Sequence, residues 1–188
     1  MPPECAGYSQ TWADRHPEWE MRLWTDDALP KLTNQELYDK MSIPSQKADI
    51  ASFEILYQYG GVYIDTDFEC YRNIEPLLHG VEAFAGCEET GIISHGIMGA
   101  VAGHPAFKAL VDGLATWVSD HSHMPPNVQT GPIYITATLG SRPDFHRFAP
   151  TLFYPYSWRE RHKKGQHFPD AYAAHHWAAS WLPLQHRR

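Results

Sequence analysis

The chain has 188 residues, enough for one domain with a buried core, and its 43% hydrophobic and 20% charged residues are ordinary for a globular protein. Its formal net charge of −7, from 22 acidic and 15 basic residues, argues against a protein that binds nucleic acid through the phosphate backbone. Three cysteines without a Cys-x-x-Cys pair, and no apolar run near ~18 residues, argue against a disulfide framework and a transmembrane segment.

The first third of the chain predicts short helices and one strand. Residues 3–16 are compatible with a helix that ends before a proline, because the residue before proline avoids the helical region. Alternating side chains over 19–24 predict a strand, and 33–41 predicts a short helix. The most regular helix covers 45–59, and Gly60 follows it where a helix end favours positive φ.

An acidic pair follows the next predicted strand. Val62 to Ile64 come after a double glycine and lead into Asp65 and Asp67. On an extended backbone positions i and i+2 point to the same side, so both carboxylates could face one hard divalent cation. The same pattern also begins loops and caps helices without any metal. The order helix, glycine turn, strand and acidic pair is typical of an α/β unit, whose ligands bind at strand carboxyl ends.

The rest of the chain contains no repeat or dividing linker, so residues 1–188 are treated as a single domain. Strands are predicted at 83–87, 152–154 and 172–177, and a helix over 103–118. The stretches 92–100 and 130–139 are apolar without a clear period, while 124–129 and 159–166 are predicted loops.

Several blocks along nearly the whole chain carry a family pattern. The central one runs from Lys47-Ala48-Asp49 through Tyr59-Gly60-Gly61 to Asp65-Thr66-Asp67. The flanking blocks are His16-Pro17-Glu18-Trp19-Glu20, Ile97-Met98-Gly99-Ala100, Gly103-His104-Pro105, Thr130-Gly131-Pro132 and Ala174-His175-His176-Trp177 with Ser180-Trp181. In this order they resemble the DXD sugar-binding region of glycosyltransferase family 32.

The resemblance implies a GT-A fold, which is an α/β Rossmann-like mixed β-sheet flanked by helices. It also implies a divalent metal, Mn²⁺ or Mg²⁺, a UDP- or GDP-sugar donor, and transfer to an acceptor hydroxyl with retention of configuration. A metal between carboxylates and diphosphate would stabilise the charge of the leaving group. The acceptor would be a glycan, a lipid-linked sugar or a small molecule, near His95-Gly96 and Thr130-Gly131-Pro132.

The resemblance also assigns roles to single residues. Asp65 and Asp67 are the expected catalytic residues and metal ligands, with His175 as the third ligand; on a strand His176 would face the opposite side. The expected donor-binding residues are Asp49, Ser52, Tyr63, Ser180 and Trp181. Simpler structural roles stay open: a surface ion pair for Asp49, core packing for Tyr63, and a structural histidine or an anchoring tryptophan near the end.

Two departures from the family pattern bear on activity. Ser52 stands where relatives usually carry an arginine able to contact the donor. The family's first strand is also absent ahead of Met1, which leads us to expect a truncated start and weakened nucleotide binding. The alternatives are therefore a non-catalytic sugar-nucleotide-binding remnant or interaction protein and, from the motif alone, a DxD phosphatase with Asp65 as nucleophile. In every case we expect a cytoplasmic protein, at most peripheral to the inner face of the membrane.

Overall fold

The computed structural model describes residues 6–178, which form a mixed four-stranded sheet, a two-stranded ribbon and flanking helices. The helices are α1 (Ala6–Arg15), α2 (Gln35–Lys40), α3 (Pro44–Tyr59), α4 (Pro105–Asp120), α5 (Pro126–Gln129), α6 (Pro132–Leu139) and α7 (Pro150–Phe153). The strands are β1 (Gly61–Ile64), β2 (Phe68–Cys70), β3 (Ala83–Cys87), β4 (Ile93–Ala100), β5 (His146–Phe148) and β6 (Ala173–His175). Short 3₁₀ turns lie at Asp26–Ala28, Glu75–Leu77 and Trp158–Lys163.

The sheet has the strand order β1-β4-β3-β5. β4 pairs antiparallel with both β1 and β3, whereas β3 and β5 run parallel. β2 and β6 form a separate antiparallel ribbon. The predicted fold class, a mixed α/β sheet flanked by helices, is confirmed.

Two apolar cores lie on opposite sides of the sheet. Within β3, Ala83 and Ala85 pack into the core that contains α3, α4 and α6, while Phe84 packs into the core that contains α1, α7 and the ribbon. This alternation is the two-residue period of a strand buried on both faces. The sheet is therefore covered on both sides, and its edges and strand ends are left for a binding site.

The link between α3 and β1 is as the sequence predicted. Pro44 occupies the first turn of α3, where its missing N–H costs nothing, and Gly60 ends the helix with φ +72°. A Cβ on Gly60 would lie 2.7 Å from the backbone nitrogen of Ala102. Glycine at position 60 therefore allows both the positive φ and the close approach of the two backbone segments.

The segment 19–24 is irregular, so the predicted strand there is wrong. Among residues 6–178 no strand pairs with it. Met21 and Leu23 are 42% and 65% exposed, so the alternating pattern does not correspond to one buried face. Alternation predicts a strand only where a neighbouring strand is available to accept its hydrogen bonds.

Three further short segments differ from the prediction. The predicted strand 152–154 overlaps α7, because Pro150 favours a helical first turn and Tyr154 N–H closes that turn on the Pro150 carbonyl at 2.7 Å. The predicted loops 124–129 and 159–166 contain α5 and the 3₁₀ turn Trp158–Lys163. In such short runs, periodicity alone does not distinguish a strand or loop from a short helix.

None of the helices described within residues 6–178 combines the length and the apolar character needed to cross a membrane.

Candidate active site

The carboxyl end of β1 places the acidic motif at an edge of the sheet. Asp65 directly follows Ile64, and its N–H donates to the Gly96 carbonyl of β4 at 2.9 Å. The chain then turns, and Phe68 N–H donates to the Asp65 carbonyl at 3.1 Å. The expected extended geometry of the motif is therefore wrong in detail, because a turn, and not strand alternation, orients the two acidic side chains.

Asp65, Asp67 and His175 lie together at this edge. One potential ligand atom from each lies within 4.8 Å of the others. His175 Nε2 is 3.0 Å from Asp67 Oδ1 and 3.7 Å from Asp65 Oδ2. The three residues predicted as metal ligands are thus brought together, although His175 is far from the acidic pair in sequence.

The β2–β6 ribbon holds this cluster in place. Phe68 lies opposite His175 in the ribbon, and their rings stack with centroids 5.2 Å apart. Asp67 is fixed by the same pairing: its carbonyl accepts from His176 N–H at 3.0 Å, and its Oδ2 accepts from Ala178 N–H at 2.7 Å. Backbone pairing therefore orients both the acid and the histidine before any ligand binds.

His176 faces away from the acidic pair, as expected for the neighbour of His175 on a strand. Its Nε2 is 2.9 Å from Glu69 Oε2, and its Nδ1 is 2.6 Å from the Tyr156 hydroxyl. Both ring nitrogens are thus hydrogen-bonded on the other side of the ribbon, where His176 links the end of β6 to Glu69 and Tyr156.

The cluster is electrostatically coupled. Burial by itself would raise the pKa of Asp67, but the charge of His175 and hydrogen bonds from His175 and Ala178 N–H lower that pKa to about 2. Burial likewise opposes the charged form of His175, yet Asp67, Asp65 and Glu88 raise its pKa above the usual value. The metal-free site therefore favours an ionised Asp67 beside a protonated His175.

These groups fit a hard divalent cation such as Mn²⁺ or Mg²⁺. Two carboxylate oxygens and one imidazole nitrogen would leave coordination positions for phosphate oxygens. Because Asp67 Oδ1 and His175 Nε2 already contact each other, a cation bound there would replace the proton that they share.

The predicted donor-binding residues lie next to this cluster. The Tyr63 hydroxyl donates to Asp65 Oδ1 at 2.7 Å, and burial followed by the charge of Asp65 raises the pKa of Tyr63 well above its usual value. Asp49 and Ser52, both buried on α3, line the same cleft, which has a volume of about 1680 Å³. Ser180 and Trp181 lie outside the described residues, so their roles stay predictions.

Three residues of this site were not among the predicted ligands. His95 Nδ1 lies 3.2 Å from Asp49 Oδ1, and the Thr130 hydroxyl donates to Asp49 Oδ2 at 2.6 Å. Glu88 lines the cleft, and burial raises the pKa of its carboxyl. The sequence placed His95 and Thr130 near the acceptor, and only the tertiary contacts show that both hold Asp49, a residue predicted to bind the donor.

The chain is similar to known glycosyltransferases in sequence. A family model described as a glycosyltransferase sugar-binding region containing a DXD motif matches residues 2–83. Inositol phosphoceramide mannosyltransferase 3 of Schizosaccharomyces pombe is 30% identical over 182 residues, which are 94% of this chain and 45% of that protein. Mannosyl phosphorylinositol ceramide synthase CSH1 of Saccharomyces cerevisiae is 31% identical over 144 residues, 72% of this chain and 38% of that protein.

The chain thus spans less than half the length of these two curated relatives. Among solved structures, the PaToxG glycosyltransferase aligns with a TM-score of 0.49 and 15% identity, over 71% of this chain and 51% of that one. The family recognised from the sequence blocks is confirmed by the family model and by the relatives. This chain carries the DXD-containing sugar-binding region of the glycosyltransferases and is homologous to mannosyltransferases.

Proposed function

We propose that this chain is the donor-binding and catalytic region of a metal-dependent glycosyltransferase, which transfers a sugar from a UDP- or GDP-sugar to an acceptor hydroxyl with retention of configuration. The observation that carries the proposal is the convergence of Asp65, Asp67 and His175 at one end of a large cleft, in a chain that has the DXD region.

The chemistry of the reaction explains the need for this cluster. When a sugar leaves a nucleoside diphosphate, negative charge grows on the phosphate oxygens, and a bound divalent cation neutralises it. Asp67, held by Ala178 N–H and His176 N–H, keeps its charge directed at one point. Asp65 spans two functions, with Oδ2 near His175 and Oδ1 near Tyr63 and the donor side of the cleft.

For the substrates, we propose mannose as the transferred sugar and a phosphate-bearing lipid as the acceptor. The names of the two fungal relatives support both choices. The rim of the cleft adds support, because the exposed side chains of Met21, Leu23 and Trp158 line it beside Arg22. An apolar rim with a cation suits an acceptor that combines hydrocarbon with phosphate. Cytoplasmic location at a membrane surface stays a prediction from the sequence.

The decisive experiment measures nucleoside diphosphate release from UDP- and GDP-linked glucose and mannose, with Mn²⁺ or with EDTA, and with or without inositol phosphoceramide. We expect Mn²⁺-dependent release, stimulated by acceptor, and a product of retained configuration by NMR. Asp67→Asn should reduce turnover at least a hundredfold in a protein that still folds, with a modestly lower melting temperature because the buried ion pair with His175 is lost. Asp112→Asn, on the exposed side of α4, is the matched control and should leave turnover at the wild-type value.

The alternatives give different results in the same assay. A sugar-nucleotide-binding remnant would bind a donor in Mn²⁺ without releasing product. A phosphatase using Asp65 as nucleophile would instead hydrolyse a simple phosphomonoester such as p-nitrophenyl phosphate. Equal turnover by wild type and Asp67→Asn would contradict the proposed function.

A further inference from the structure

A buried hydrogen-bonded network centred on His95 lies beside the proposed metal site. His95 projects from β4 and contacts α3 through two atoms: its Nε2 is 2.7 Å from the Ser52 hydroxyl, and its Nδ1 is 3.2 Å from Asp49 Oδ1. The same Nδ1 is 3.9 Å from Asp65 Oδ1. One imidazole ring therefore connects the helix that precedes the acidic motif with the motif itself.

We infer that His95 is a positioning residue for the donor: it holds the carboxylates of Asp49 and Asp65 as a pair of acceptors for a vicinal diol of the nucleotide sugar. This inference rests on the proposed function and gives a donor-side role to His95, which the sequence alone placed near the acceptor. The diol belongs either to the donor sugar or to the ribose, because both present neighbouring hydroxyls.

The contacts of Asp49 show how tightly it is held. Its Oδ2 accepts from the Thr130 hydroxyl at 2.6 Å, and its Oδ1 faces His95. Each carboxylate oxygen has two lone pairs, so one on each oxygen is left for a ligand. Burial of a carboxylate is costly unless its oxygens are paired, and Thr130 and His95 supply that pairing.

The two carboxylate oxygens of Asp65 contact different neighbours. Its Oδ2 faces His175 in the proposed metal site, while its Oδ1 accepts from the Tyr63 hydroxyl at 2.7 Å. The rings of Tyr63 and His95 pack together with centroids 4.9 Å apart. His95 and Tyr63 therefore form the corner in which the oxygens of Asp49 and Asp65 face the cleft.

Ser52 holds His95 from the α3 side. Its hydroxyl donates to the Asp49 carbonyl of its own helix at 2.8 Å, and its oxygen lies 2.7 Å from His95 Nε2. This contact leaves His95 Nδ1 directed at the Asp49 carboxylate. Although Ser52 is among the residues that line the cleft, it is only 1% exposed, so we infer that it acts on the donor side through His95.

The test compares binding of the bare nucleoside diphosphate and of the intact nucleotide sugar, both with saturating Mn²⁺, by calorimetry. His95→Leu removes both ring contacts, whereas His95→Asn keeps an amide donor near the position of Nδ1. We expect His95→Leu to weaken intact-donor binding and to lower kcat/KM at least tenfold, and His95→Asn to recover most of that loss. Mn²⁺ affinity should change less than threefold, because His95 contacts neither Asp67 nor the ligand oxygen of Asp65.

The control is His121→Leu, which removes a histidine packed on Trp117 at the end of α4, away from this network. It should leave donor binding unchanged. If His95→Leu fails to fold, Ser52→Ala replaces it and should weaken donor binding about threefold without changing Mn²⁺ affinity.

Binding of the bare nucleoside diphosphate and of the intact donor to His95→Leu tells which part of the donor carries the diol. Loss restricted to the intact donor places the diol on the sugar, and equal loss with the bare nucleoside diphosphate places it on the ribose; both support the inference. Wild-type donor affinity in His95→Leu, or His95→Asn no better than His95→Leu, would overturn it while leaving the proposed function standing. Failure of the wild-type protein to bind any nucleotide sugar in Mn²⁺ would instead remove the proposed function, and this inference with it.

Discussion

Asp65 and Asp67 belong to one motif, but the fold holds them differently. The side chain of Asp67 is 11% exposed and both of its oxygens have partners, whereas that of Asp65 is 31% exposed. A fully partnered carboxylate keeps its charge and direction, and a more open one can accept a ligand hydroxyl. Asp67 is therefore suited to a fixed metal contact, and Asp65 to a contact shared between metal and donor.

The pH dependence of metal binding follows from His175. Its pKa is raised, mainly by Asp67 once the opposing effect of burial is overcome, so a proton occupies Nε2 at mildly acidic pH. A metal needs the neutral imidazole, so Mn²⁺ affinity should fall as pH drops below that pKa, by about tenfold per pH unit for one displaced proton. Asp67 has a pKa of about 2, so it stays ionised between roughly pH 5.5 and 8.5 and adds nothing to the pH dependence of Mn²⁺ affinity in that range. Calorimetric Mn²⁺ titrations across this range check the expectation.

The matched variant for that measurement is His175→Gln. It removes the titrating nitrogen, so its Mn²⁺ affinity should be weaker and nearly flat with pH. A wild-type affinity that rises as the solution is acidified would show that His175 is not a ligand.

At the scale of elements, the connection from α3 to β1 controls where the motif lies. Gly60 and Gly61 both have positive φ, at +72° and +97°, but they differ in their surroundings. Gly60 is packed against the backbone of residues 100–102, while a Cβ on Gly61 would meet nothing within 4 Å. An added Cβ would therefore cause only backbone strain at Gly61, but both backbone strain and steric overlap at Gly60.

Gly61→Ala should destabilise the protein by about 1–2 kcal/mol, the usual cost of a left-handed backbone for a residue with a Cβ. Gly60→Ala should cost more, because its Cβ would also overlap Ala102 N at 2.7 Å. Urea denaturation of the two variants measures the difference. Equal free energies of unfolding would mean that the backbone around 100–102 moves aside freely.

A buried glutamate on α3 ties the irregular segment before α2 to the sheet core. Glu54 is fully buried, and its oxygens accept from Thr33 N–H at 3.0 Å, Asn34 N–H at 2.8 Å and the Asn34 side-chain amide at 3.0 Å. A carboxylate accepts at both oxygens, whereas an amide accepts at only one. The Glu54 side chain therefore fastens the end of this segment to α3 by three hydrogen bonds.

Glu54→Gln should lower the free energy of unfolding by about 2 kcal/mol or more, because its NH₂ group would face a backbone N–H that has lost its acceptor. Glu36→Gln, on the exposed side of α2, is the control and should stay within ~0.5 kcal/mol of wild type. Thermal and urea unfolding measure both. Unchanged stability of Glu54→Gln would show that water reaches this contact.

At the scale of the whole molecule, the cleft is built from distant parts of the chain. Its walls include α3, the end of β1, the start of β4 and the ribbon strand β6. A ligand that contacts all of them binds the folded state and not the unfolded chain, so it must stabilise the fold.

Mn²⁺ and GDP or UDP together should therefore raise the melting temperature more than either alone. At a hundred times the dissociation constant the gain is about 2.7 kcal/mol at 25 °C. Differential scanning fluorimetry of wild type and Asp67→Asn tests this, with EDTA as the reference. The same shift in both proteins would mean that the nucleotide binds without the metal site.

The local patterns of the sequence determined the helix α3, its glycine end, strand β1 and the presence of an acidic pair, because each depends on neighbouring residues and on a backbone preference. They also supported the family, since ordered blocks of residues carry it. The strand expected at 19–24 failed because strand formation depends on a partner that lies elsewhere in the chain.

Tertiary structure alone decided how the site is assembled. The pairing of β2 with β6 brings His175 to Asp67, and the packing of β4 on α3 brings His95 between Asp49, Ser52 and Asp65. Neither contact has a local signature, because side chains far apart in sequence meet only when the sheet and its two apolar cores have formed. The sequence named the chemical groups, and long-range backbone pairing and core packing fixed their distances and therefore their chemistry.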